Sequence, residues 1–79
     1  MSRGPGRLQR FALDVLEDVA QLTSEELAAS YAAQVKGRGT YGDADLAAAR
    51  RALRRLAEVG RLEIASAPGS RPVIYTRRK

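Results

Sequence analysis

Apolar residues recur at helical spacing along the first stretch of the chain. Between Arg7 and Ala20 they are Leu8, Phe11, Ala12, Val15, Leu16 and Val19, the i, i+3, i+4, i+7 pattern of an amphipathic helix. Pro5 stands near its start, where a missing N–H costs nothing. Asp14, Glu17 and Asp18 fall on or beside the wet face. A second helix is predicted from Thr23. Thr23 and Glu26 have the S/T-x-x-E spacing of a capping box, and Leu22 and Leu27 flank the cap as a hydrophobic staple. Leu27, Ala28, Tyr31 and Val35 continue the stripe, and Gly37 ends it.

Gly37, Gly39 and Gly42 make the next segment a loop. A third helix is predicted from about Asp43 to Val59, with Asp43 as N-cap and Gly60 as the stop. Leu46, Ala49, Ala52, Leu53 and Leu56 form its buried stripe; Ala44, Ala47, Arg51, Arg54, Arg55 and Glu58 lie opposite. Arg61–Ala65 then alternates polar and apolar, Pro68–Pro72 reads as a turn, and Val73–Thr76 is β-branched and aromatic. Together they predict a β-hairpin with a loop of about five residues, and a short third strand around 21–23 would lie beside it. The fold class is therefore mainly α with a small β-hairpin (α+β), as one domain over 1–79 with a basic arm at 1–6 and a basic tail at 77–79.

Charge adds a direction to this outline. Residues 1–10 hold three Arg and no acid, 11–35 five acids and no base, 36–61 seven bases and three acids, and 62–79 four bases and one acid. Cations and anions are thus segregated by segment, which predicts one basic face and an acidic partner for it. Twelve of the fourteen bases are Arg, whose forked donors suit phosphate and guanine.

Other chemistry is narrowly bounded. Cysteine, histidine and tryptophan are absent, so disulfides, thiolate chemistry and the usual zinc sites are excluded. No EF-hand-like loop occurs. The sequence predicts no cofactor, no metal site and no small-molecule ligand. Gly37-x-Gly39-x-x-Gly42 matches the dinucleotide fingerprint by letter, but a helix rather than a strand precedes it. Ser24 belongs to a helix start, and Ser30 and Ser66 have no base to activate them, so the sequence predicts no enzyme. No apolar run approaches the ~20 residues of a membrane span, and the charged N-terminus lacks the apolar stretch of a signal peptide. These readings place the chain in the cytoplasm, at the nucleoid if DNA is its partner.

Two segments carry a family likeness. Arg50-Arg51-Ala52-Leu53-Arg54-Arg55-Leu56-Ala57-Glu58-Val59-Gly60-Arg61-Leu62-Glu63 resembles the end of the recognition helix, the glycine stop and the first wing strand of many bacterial regulators. Leu22-Thr23-Ser24-Glu25-Glu26-Leu27-Ala28 resembles the start of their second helix. With the order of elements, the likeness to the winged helix-turn-helix superfamily spans nearly the whole chain, without resolving a particular family. It implies a DNA-binding protein, with the third helix in the major groove, its N-terminal half near base edges, and the wing tip at phosphate or the adjacent minor groove.

On that reading Arg51 can reach a guanine edge, Arg54 and Arg55 touch phosphates, and Arg50 lies at the flank. Lys36, Arg38, Thr40 and Tyr41 in the loop are candidates for backbone contact, with Tyr41 alternatively packed on the core. Ser70 and Arg71 at the hairpin tip are candidates for phosphate or minor groove, and the arm and tail supply counter-charge. The expected partner is double-stranded DNA. A single module covers about 600–1,000 Å² of surface, so useful specificity would favour a homodimer or tandem binding. The function expected first is a sequence-specific transcriptional regulator. The alternatives are a winged-helix protein-interaction module, or an architectural or replication factor with little sequence preference.

Overall fold

Ala12, Leu16, Leu22, Leu27, Ala28, Ala49, Leu53, Leu56, Leu62 and Tyr75 come together as one buried cluster, and every predicted element contributes to it. The computed structural model describes residues 6–78. In it the chain forms α1 (Arg7–Asp18), α2 (Ser24–Gln34), α3 (Asp43–Glu58), β1 (Leu62–Ile64) and β2 (Tyr75–Arg77). It is a mixed α+β arrangement of three helices and a two-stranded antiparallel hairpin. Pro5, most of the basic arm and Lys79 lie outside the described residues. None of the helices described is long and apolar enough to cross a membrane.

The helical stripes decide what packs. Ala12 and Leu16 of α1 meet Leu27 and Ala28 of α2 and the Ala49, Leu53 and Leu56 ridge of α3. Phe11 and Tyr31 join α1 to α2 edge-to-face, with ring centroids 5.2 Å apart. The stripes end earlier than their sequence periodicity suggests: Val19 and Val35 are 45% and 50% exposed. Both sit just past the helix ends, at the C-cap positions of α1 and α2.

The helix ends follow local chemistry. Thr23 caps α2: its Oγ1 accepts from Glu26 N at 3.2 Å, and Thr23 N donates to Glu26 Oε1 at 3.0 Å. Replacing Thr23 with Ala removes one half of this reciprocal pair. It is expected to lower stability by about 1 kcal/mol, read as a shift in the urea midpoint at unchanged slope. An unmoved midpoint would show that the cap adds nothing. Gly60 stops α3 at φ 83°, with Arg61 N donating to Leu56 O and Gly60 N to Ala57 O. This is the double closure of a Schellman motif, which needs a left-handed residue. The N-terminus of α3 departs from the sequence reading. Gly42, not Asp43, is the N-cap, and Asp43 lies in the first turn.

The hairpin also differs in its bounds. β2 begins at Tyr75 rather than Val73 and takes in Arg77, which the sequence reading assigned to the tail. Its pairs are Leu62 with Arg77, Glu63 with Thr76 and Ile64 with Tyr75. The connection between the strands is therefore residues 65–74, twice the predicted length. It is organised internally. Ala65 N donates to Ile74 O at 2.7 Å, and Ile74 N donates to Ser66 Oγ at 3.2 Å. Tyr75 and Leu62 face the core, but Ile64 on the same face lies beyond its edge and is 58% exposed. The expected strand near 21–23 reduces to a single bridge. Leu22 N donates to Tyr75 O and Tyr75 N to Leu22 O, both at 2.9 Å.

Candidate nucleic-acid interface

The packing of α3 fixes what it can present. Ala49, Ala52, Leu53 and Leu56 are buried, and 100° per residue turns Arg50, Arg51, Arg54 and Arg55 outward. Among the described residues, Arg55 alone of the four has a carboxylate beside it, with Nη1 3.7 Å from Glu58 Oε1 in an exposed pair. Among the described residues, Arg50, Arg51 and Arg54 lie in no ion pair.

The four arginines do not form one row. Arg50 and Arg54, one turn apart, line an open cleft of about 690 Å³ whose other wall is Gly69, Ser70, Arg71, Pro72 and Val73 of the hairpin loop. Ser24, Glu25 and Tyr75 complete its lining. Arg51 and Arg55 are not in this lining. The sequence reading set Arg50 at the flank and grouped Arg54 with Arg51 and Arg55; in the structure Arg50 and Arg54 belong with Arg71 and Ser70. Ser24, Glu25 and Val73 were not among the candidate residues. The Leu22–Tyr75 bridge brings the start of α2 to the hairpin. The only sign of it in the sequence was the strand-like segment at 21–23.

The loop before α3 is occupied differently from the expectation of free phosphate-binding cations. Asp45 gathers it: Lys36 Nζ lies 2.6 Å from Oδ1, Arg38 Nη2 lies 3.1 Å from Oδ2, and Gly42 N donates to Oδ2 at 2.9 Å. Lys36 also stands 5.9 Å above the Tyr31 ring. The side chains of Lys36 and Arg38 remain 41% and 53% exposed, so their pairing with Asp45 compensates their charge without hiding it. Thr40 is exposed, whereas Tyr41 is half-buried and packs against the core, the second of its two expected placements.

The same contacts hold the Asp45 carboxyl below its ordinary value of 3.8, through the Gly42 amide first, then the Lys36 side chain, with the charges of Arg38 and Lys36 adding to them. A depressed folded-state value means stability that is present above the unfolded value and lost as pH falls through the folded one. Asp45→Asn keeps an acceptor for the Gly42 amide and removes the charge. The variant is therefore expected to be less stable than wild type near neutral pH, with the gap closing as pH falls below 3.8 and through the depressed folded-state value. Urea midpoints across this range check it; a gap that persisted in acid would assign the effect to lost packing.

A second open cleft, of about 720 Å³, lies between Leu16, Val19 and Ala20 of α1 and its following turn and Glu63, Thr76, Arg77 and Arg78 of the hairpin and the residue after it. Arg78 Nε is 3.9 Å from Glu63 Oε2 there. No cluster of three or more potential metal ligands occurs among the described residues.

No protein-family model matches the chain, and the searches of curated proteins and of solved structures give no match either.

Proposed function

We propose that this chain is a winged helix-turn-helix module that binds duplex DNA, with α3 as its recognition helix and the hairpin as its wing. One observation carries the reading: Arg50, Arg51 and Arg54 of α3 are exposed and, among the described residues, have no carboxylate partner, and Arg50 and Arg54 line one cleft with Arg71 of the wing. An ordinary solvated helix face mixes acids with bases at i, i+4 spacing. Here Glu58 is the only acid among residues 46–58 of α3. Unbalanced arginine on one surface raises the local concentration of a polyanion and forms forked hydrogen bonds with it.

The reading assigns affinity to phosphate contacts and sequence preference to one or two arginines reaching base edges. It makes the protein a sequence-specific regulator of transcription. It also moves the contact along the helix. Asp43 and Asp45 occupy the first turn of α3, where they suit the helix dipole and repel phosphate. The basic residues begin at Arg50. DNA therefore meets the second half of α3 and the wing, rather than the N-terminal half expected from the superfamily likeness.

The test is fluorescence anisotropy of a labelled duplex of random sequence against rising salt. Binding that weakens steeply between 50 and 200 mM salt is expected. No binding at about 50 mM salt, where nonspecific contacts are strongest, would reject the reading and direct the search to a protein partner.

A further inference from the structure

The cleft between the second half of α3 and the wing gathers three cations from two elements: Arg50, Arg54 and Arg71. Ser70 adds a hydroxyl to the same wall. The one acid that lines it, Glu25, is within ion-pair distance of none of the three. Mutual repulsion therefore goes uncompensated by the protein itself. A charge-matched ligand for this cleft is an anion with several acceptor oxygens, taken up between arginines of the helix and of the hairpin loop. Arg51, about 100° further round α3 from Arg50, is left outside it.

We infer that this cleft seats a backbone phosphate of bound DNA, held by Arg50, Arg54 and Arg71, and that Arg51 is thereby left for base edges. The inference rests on the DNA reading above and divides its residues by role. The seat fixes where the strand crosses the protein, because the phosphate must enter between the helix and the wing. Glu25 in the lining opposes the phosphate and weakens the seat.

The salt dependence of duplex binding measures this division directly. Each phosphate contact removed lowers the slope of log K against log salt by about 0.9. Arg50→Ala, Arg54→Ala and Arg71→Ala are each expected to weaken binding about tenfold on every duplex tested, and the triple alanine variant, which empties the one seat, is expected to lower the slope by about 0.9. Glu25→Gln is expected to tighten binding about threefold at low salt, where a like charge is least screened. Circular dichroism of each variant confirms that the fold is intact. If wild type binds and Arg51→Ala weakens it while the triple cleft variant keeps the wild-type slope and affinity, the seat is refuted and the DNA reading stands. If wild type does not bind at all, both are refuted.

Discussion

Replacing Arg50, Arg51, Arg54 and Arg55 together with alanine is expected to abolish measurable DNA binding while leaving the helix folded. All four side chains are exposed, and alanine is the better helix former, so α3 loses no packing. The single ion pair removed, Arg55 with Glu58, is exposed at both ends and contributes little to stability. The effect on binding is of another size. A hydrogen bond to a charged group contributes about 1.5–3 kcal/mol. Three such contacts at the low end come to about 4.5 kcal/mol, or roughly a thousandfold in affinity. Nonspecific binding starts near 10⁻⁴–10⁻⁶ M, so the variant falls out of the measurable range. The quadruple lysine variant separates charge from geometry. It keeps the salt dependence and loses preference between duplexes, because lysine presents a point charge in place of a planar fork. An alanine variant that bound as wild type does would remove α3 from the interface.

Leu53→Ala is expected to do the reverse, taking the fold and everything that depends on it. Leu53 is fully buried at the point where α3 meets the other two helices. Truncating such a residue costs about 2–5 kcal/mol in lost burial and the cavity left behind. A domain of this size has little to lose: a single core below about 80 residues rarely supplies more than ~3–5 kcal/mol. The melting midpoint should fall by at least about 10 °C, at ~4–8 °C per kcal/mol for a small domain. Helical circular dichroism at 222 nm on heating reads it. Val35→Ala, at a half-exposed position past the end of α2, should stay within ~0.5 kcal/mol of wild type. Similar melting of the two variants would place the core elsewhere than around Leu53.

These contrasts show what the linear pattern carries and what it omits. Periodicity identified the buried side of all three helices because a helix has one geometry and apolar spacing reports it. Thr23 was legible as a cap because both partners of its box are side-chain bearing and three residues apart. The start of α3 was misplaced by one residue. Gly42 has no side chain to advertise a cap, and Asp45 supplies the only side-chain contact by reaching back to its amide. The start of β2 was misplaced for a different reason. Val73 and Ile74 have the stronger β propensity, but tertiary pairing of Tyr75 with both Ile64 and Leu22 decides where β2 begins. Likewise, spacing along α3 shows which arginines face outward, but not that Arg50 and Arg54 share a cleft with Arg71. The pinning of Lys36 and Arg38 by Asp45 joins residues across a loop, where no period applies.

The paired hydrogen bonds between Leu22 and Tyr75 also govern how the molecule can adapt. They fasten the segment between α1 and α2 to the second strand, with both side chains sunk in the same core. To swing outward, the hairpin would have to drag residue 22 with it or break both bonds and uncover two core side chains. Helix and hairpin are consequently held at a set angle. Any adjustment to a curved or irregular surface falls to the long exposed arginines and to the loop at 65–74, while the backbone frame stays still.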